Sequence, residues 1–235
     1  TIMLMTNYSQ KEMTQQRVAM SGGGSFDVNS SGFGDVRLSG LIKLINNDKI
    51  KSHIGIGLSM PSGSINQRDN TPASNNTRLG YAMQNGSGTY DPFFSLTNLN
   101  NFGNFKFGQQ IFFKLPASGK NSNNYKYGKT FDSSLWTSYS WVNSISTSLR
   151  LNYNFMSEIS GSDDEMNKRM SPAMDSNNQG HQKLNVGVGL NFINHKVLLN
   201  NHRLALESIF PLYQKYQGLQ MSENFKIVIG WQYGF

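Results

Sequence analysis

Residues 223–235 read ENFKIVIGWQYGF, and Phe225, Ile227, Ile229, Trp231, Tyr233 and Phe235 fall on every second position. Lys226, Val228, Gly230, Gln232 and Gly234 lie between them. A period of two predicts a strand with one bulky apolar face and one small or polar face. The pattern recurs along the chain. Ile2, Leu4, Thr6 and Tyr8 mark a strand over 1–10. Val36, Leu38, Ile42 and Leu44 mark one near 34–45, and Ile54, Ile56, Leu58 and Met60 one over 51–60. A less regular segment near 88–97 is interrupted by Pro92. Phe105, Phe107, Ile111, Phe113 and Leu115 mark the fifth strand, and Phe131, Leu135, Tyr139 and Trp141 the sixth. Ile145, Leu149, Leu151, Tyr153 and Phe155 mark the seventh, Leu184, Val186, Val188, Leu190 and Phe192 the eighth, and Leu204, Leu206, Phe210 and Leu212 the ninth. With the terminal segment these make ten strands.

The connections carry a second pattern. Polar stretches near 11–32, 61–87 and 157–181 are long, and those near 116–129 and 214–222 are intermediate. The turns at 46–49, 98–104, Asn143 and 195–201 are short. Along the chain, short connections alternate strictly with longer ones. Bacterial membrane barrels have short turns at one end and longer loops at the other. A soluble sandwich has no reason to sort its loops this way. The expected fold is therefore all-β, an antiparallel transmembrane up-and-down β-barrel forming a single domain over 1–235. The long loops near 11–32, 61–87 and 157–181 are expected to be external.

Composition sharpens this reading. Hydrophobic residues make up 37% of the 235 positions and charged residues 15%, while the chain carries 23 Gly, 15 Phe, 10 Tyr and 3 Trp. No stretch approaches the roughly 18 apolar residues of a membrane helix. Bulk hydropathy misses barrel strands, because only alternate residues meet lipid. The chain has no cysteine, hence no disulfide or thiolate metal site. Its net charge of +7 is not gathered into a basic stripe, so no nucleic-acid partner is expected. The first residues already read as strand, so a leader and further strands are expected before Thr1.

Charge decides which face is which. A lysine facing lipid at mid-membrane costs roughly 2–4 kcal/mol, so the charged positions are assigned to the lumen. The expected lining is Arg37, Lys43, His53, Lys106, Lys114, Arg150, Lys183, Arg203, Glu207 and Lys226, with Asp35. Eight basic residues against two acidic ones would favour anions. The competing reading pairs these charges across the lumen and plugs it. An interior too narrow for rings of Phe and Trp is expected to hold small residues.

Other chemistry is sparse. His53, His181, His195 and His202 show no ligand spacing, so no metal is expected. Met166, Met170 and Met174 repeat at four-residue spacing beside Asp163, Asp164 and Glu165, which reads as a short helical turn packing on the barrel rim rather than a metal site. No nucleophile–base arrangement and no phosphate loop is present, so neither an enzyme nor a cofactor is expected.

The terminal Trp231, Tyr233 and Phe235 resemble the closing strand of bacterial outer-membrane barrels, which the assembly machinery reads. Four stretches extend the resemblance: SSGFGDVRLSGLIKL (30–44), HIGIGLSMPSGSINQRDNTPA (53–73), MQNGSGTYD (83–91) and PLYQKYQGLQMSENFKIVIGWQYGF (211–235). Together they resemble the outer-membrane channel family of the meta-pathway of phenol degradation, whose members are often described only as transporters. The resemblance implies a bacterial outer-membrane location and a twelve-stranded parent of which ten strands are visible. It also implies diffusion, passive or facilitated, of small solutes, aromatic or anionic. The expected partners are the bilayer, the assembly machinery and the solute. LGYAMQ (79–84) departs from the family pattern where a second proline is expected. The alternative function is a plugged structural or interaction barrel whose external loops bind a partner.

Overall fold

The computed structural model describes residues 1–17, 22–194 and 202–233. Its strands are β1 (Ile2–Met5), β2 (Tyr8–Gln16), β3 (Ser25–Phe33), β4 (Val36–Asn46), β5 (Ile50–Met60), β6 (Arg68–Thr71), β7 (Ser74–Arg78) and β8 (Asp91–Phe102). They continue as β9 (Phe105–Lys114), β10 (Tyr125–Lys126), β11 (Thr130–Val142), β12 (Ile145–Met156), β13 (Ser160–Gly161), β14 (His181–Asn194), β15 (His202–Tyr216) and β16 (Lys226–Tyr233). Ten of them form one antiparallel sheet in the order β1-β4-β5-β8-β9-β11-β12-β14-β15-β16. Each strand pairs with its sequence neighbour in the sheet, the up-and-down arrangement of an outer-membrane β-barrel. The described turns at one end are short: 47–49, 103–104 and 143–144.

The bulky set faces outward. Leu149 on β12, Val188 on β14, Leu206 on β15 and Ile229 on β16 are all exposed, although each lies within a hydrogen-bonded sheet. In water such a surface would be untenable; in hydrocarbon it is the solvated state. The opposite face is concave. One cavity of about 460 Å³ is bounded by residues of β8, β9, β11, β12, β14 and β15 together, so the sheet curls around it.

Several boundaries differ from the sequence expectation. Residues 11–16 and 25–32 are strand, not irregular loop. β1 ends at Met5, and β2 and β3 form a separate antiparallel hairpin in register from Tyr8↔Phe33 to Gln16↔Ser25. Its polar composition hid it, because Met13 and Val28 are the buried apolar anchors of its inner side. The asparagine run before Gly103 is strand, with Asn100 opposite Phe107 and Asn101 opposite Lys106. The turn is confined to Gly103–Asn104, where Gly103 adopts φ of +72°, a conformation that favours glycine. Pro92 is tolerated because it is the second residue of β8, at the strand's start. β15 runs on to Tyr216, past the expected start of its loop. The predicted turn at 195–201, with His195, lies outside the described residues.

The long-loop end is built like a small soluble domain. Met13, Val28, Leu79 and Met83 are buried together with Phe26 against them, and Tyr81, Tyr125, Ile159, Met166 and Met174 form a second cluster with Tyr127. The described helical structure is limited to single 3-10 turns at Tyr81–Met83, Pro172–Met174 and Ser176–Asn178. We call this assembly the cap.

Candidate functional site

The motif residues converge on one knot between barrel and cap. The Asp35 carboxylate accepts the Gly63 amide at 3.0 Å, the Ser87 amide at 2.9 Å and the Ser87 hydroxyl at 2.6 Å. The Ser62 hydroxyl accepts the Val36 amide at 2.8 Å. A Cβ on Gly63 would stand 2.7 Å from the Cα of Gly86, so the two chain segments touch through their glycines. GFGD, PSGS and GSGTYD thus hold one another. Asp35, expected in the lumen, points into this knot, because three donors from the returning loop satisfy it there.

The cap is tied across by charge. Arg78 donates to Glu165 Oε1 at 2.7 Å, its Nε lies 3.5 Å from Asp163 Oδ2, and Arg68 pairs with the other oxygen of Glu165. Hydrogen bonds from Arg68 and Arg78 hold the Glu165 carboxyl below the ordinary carboxylate range. Tyr127 donates to the Tyr81 carbonyl at 2.8 Å, and the Asp163 amide donates to the Tyr81 hydroxyl at 3.1 Å. Burial pushes the Tyr125 phenol up to about 12 and Tyr127 well above its usual value. Lys11 of β2 reaches into the same assembly, donating to the carbonyls of Ala82 and Gln84 at 2.9 and 2.6 Å. Met166 and Met174 pack in the tyrosine cluster, while Met170 is exposed.

The lumen face is organised by register. Trp136 and Arg150 lie directly opposite each other on β11 and β12, flanked in the same row by Gly108 on β9 and Gly187 on β14. Trp136 leans over Gly108, where a Cβ would come within 2.1 Å of the ring. Arg150 crosses Gly187 to donate to Glu207 Oε1 at 2.7 Å, and a Cβ there would lie 2.6 Å from that oxygen. The guanidinium carbon stands 5.8 Å from the Trp136 ring centre. Phe93 and Phe112 also face inward, 5.5 Å apart, with Phe93 over Gly57. Rings inside the lumen overturn the expectation of an interior restricted to small side chains. Glycines on adjacent strands make the space that the strand count alone would deny.

The predicted lumen cations fall into two groups. Lys114 faces Asp91 at 3.4 Å, Arg150 faces Glu207, and Lys183 and Lys226 approach Glu223 at 2.7 and 3.6 Å. Arg37, Lys43, Lys106 and Arg203 have no carboxylate partner among the described residues. Arg203 donates instead to Asn191 at 2.6 Å and Gln232 at 3.2 Å. Lys43 lies opposite His53 in the β4–β5 register. His181 bonds Asn154 at 2.8 Å, and His202 accepts from the Trp231 indole at 3.0 Å. Sequence reasoning passed over two lumen acids, Asp91 and Asp132. Parity places Asp132 on the same face as Ser134 and Trp136, so alternation alone could have found it.

Two cavities meet at the Arg150–Glu207 pair, which lines both. The inner one, toward the short turns, holds Lys106, Arg203, Trp136 and a band of serines. The outer one, of about 290 Å³, holds Gln110, Asp132, Ser134, Asn152 and Asn185.

The fold and its apolar belt define the chain as an outer-membrane β-barrel, in contact with the lipid bilayer. Among solved structures it is similar to an outer membrane channel from Pseudomonas putida F1, at a TM-score of 0.58 and 12% identity, over 95% of this chain and 74% of that one. OmpT of Vibrio cholerae (TM-score 0.45, 11% identity, 75% and 44% covered) and its loop-deletion form (0.47, 10%, 98% and 62%) resemble it too distantly to argue from. No family model and no curated protein sequence matches the chain.

Proposed function

We propose that the chain is a non-enzymatic outer-membrane channel through which small solutes, aromatic or anionic, diffuse along the polar face of the sheet. The supporting observation is the inner cavity. It combines an aromatic wall, Trp136, with Lys106 and Arg203, neither of which faces a carboxylate, and with the hydroxyls of Ser138, Ser140, Ser146 and Ser148. Cations without counter-charge in a confined polar space attract anions. The structural resemblance to an outer membrane channel of Pseudomonas putida supports the same reading. In this reading the cap is extracellular and the short turns periplasmic. Trp231 and Tyr233, outward on β16, belong to the signal that the assembly machinery reads; Phe235 lies outside the described residues.

Reconstitution into planar bilayers tests the proposal. Discrete conductance steps with a mild anion preference are expected, reduced when Lys106 and Arg203 are both changed to glutamine. A silent membrane overturns it. The folded cap favours a second reading, a plugged barrel that works through its external loops: the Asp35 knot and the Arg68–Arg78–Glu165 ties would keep the mouth narrow. Conductance that appears only after these ties are cut would favour that reading.

A further inference from the structure

The outer cavity is charge-balanced, with Asp132 and Glu207 beside Arg150 and Lys226, where the inner one gathers Lys106, Arg150 and Arg203 around Glu207. Asp132 on β11 accepts only from neutral groups. Asn152 Nδ2 lies 3.0 Å from each carboxylate oxygen, Asn154 Nδ2 lies 3.2 Å from Oδ2, and the Ser134 hydroxyl is 3.5 Å from Oδ1. No cation lies within ion-pair distance of it among the described residues. Arg150 is committed to Glu207 Oε1 and to the Trp136 face. Lys226 lines the cavity, and its ammonium lies 3.6 Å from Glu223.

A second observation is independent of that carboxylate. Asn185 on β14 lines the same cavity, is only 7% exposed, and its Oδ1 is buried with no donor to meet it. It lies directly across from Asn152, which lies across from Ser134, so all three stand in one row of the sheet. A buried acceptor left without a donor is destabilising, and this one belongs to a residue lining the cavity that also holds a carboxylate with no cation beside it. Glu207, whose Oε1 takes Arg150, lines the same cavity.

We propose that this outer cavity binds the primary ammonium group of a small organic solute. An ammonium supplies three donors and one positive charge, and accepts nothing. It therefore complements the Asp132 carboxylate, which faces no cation among the described residues, and the Asn185 side-chain oxygen, acceptors that an alcohol, with one donor, would leave partly unmet. A volume of about 290 Å³ admits a short amine or an amino acid. The inference rests on the channel reading only for its biological sense, and it goes beyond the aromatic or anionic solutes of that reading. A zwitterion would meet Asp132 first and then, past the Arg150–Glu207 pair, the cations of the inner cavity.

Calorimetric titration of the full-length protein in detergent micelles tests this, with n-propylammonium chloride as the probe and potassium chloride and sodium propionate as comparisons. Saturable propylammonium binding is expected, weakened roughly tenfold or more by Asp132→Asn through loss of a charge-assisted contact. Asn185→Leu, read separately, weakens it too and keeps the test open if Asp132→Asn does not fold. Heat-modifiable gel mobility reports folding for both. The proposal fails if no saturable heat appears, if Asp132→Asn binds as tightly as the parent, or if potassium or propionate competes equally well. Conductance is read apart from binding. A silent bilayer with intact binding overturns the channel reading and upholds this site. Conductance without propylammonium binding overturns the site alone.

Discussion

The barrel and the cap obey opposite rules within one chain. In the sheet, Leu149, Val188, Leu190 and Ile229 are exposed, and the interior is polar. In the cap, Val28, Leu79, Tyr81 and Tyr125 are almost wholly buried, and polar side chains lie around them. Of the buried hydrophobic residues among those described, Phe93 is the one that belongs to the ten-stranded sheet. The difference is one of solvent. Hydrocarbon gives an apolar side chain nothing to gain by hiding, so the sheet is held by the hydrogen-bond ladders between its strands. Water at the long-loop end restores the hydrophobic effect, so the loops build cores of their own.

The comparison can be broken most forcefully at Tyr125. Tyr125→Ala removes a fully buried ring, and a loss of about 3–5 kcal/mol in cap stability is expected. Hydrogen exchange over 157–180 should accelerate while the folded-barrel gel mobility persists. Loss of the barrel with the cap would show that the two regions are one cooperative unit. Val188→Arg strikes the other region. It should destabilise the barrel by roughly 2–4 kcal/mol in lipid vesicles, measured by urea titration, with cap exchange unchanged. A neutral result would mean that β14 does not face lipid. Inside the lumen, Gly108→Leu forces Trp136 off its seat and should cost about 1–3 kcal/mol by overpacking.

Two pH effects, expected to be smaller, act on the cap alone. Arg68 and Arg78 lower the Glu165 pKa, so the tie between the loops is present above the ordinary carboxylate range. It is lost as pH falls through the lowered value. Proteolysis of 157–180 should therefore rise only in strong acid, and Glu165→Gln should abolish the step. Tyr125 behaves in the opposite sense. Its raised pKa keeps the phenol neutral, so cap stability is present below pH 10 and declines as pH rises toward 12. Phenolate absorbance that titrates fully near pH 10 would contradict the buried ring.

Much of the sheet was legible because a barrel strand repeats every two residues and depends on little else. Ile145 to Phe155 shows it: apolar residues alternate with Ser146, Ser148, Arg150, Asn152 and Asn154, and the turn before them takes two residues. The cap was illegible for the converse reason. Met13 and Val28 are 15 positions apart in a polar stretch, and they become a core only when Leu79 and Met83 arrive from another loop. The candidate site divides in the same way. Parity puts Lys106, Arg150 and Asp132 on one face. Partners such as Glu207, 57 positions from Arg150, follow from strand order and register.

Sequence by itself determined the antiparallel strands, their inward and outward faces, and the alternation of long and short connections, since each is a local consequence of backbone geometry. Tertiary structure alone decided the Asp35 knot, the buried tyrosines of the cap, the glycine seats under Phe93 and Trp136, and the carboxylate that each lumen cation meets. Those depend on which distant segments the curled sheet brings within a few ångströms, and no spacing along the chain encodes that distance.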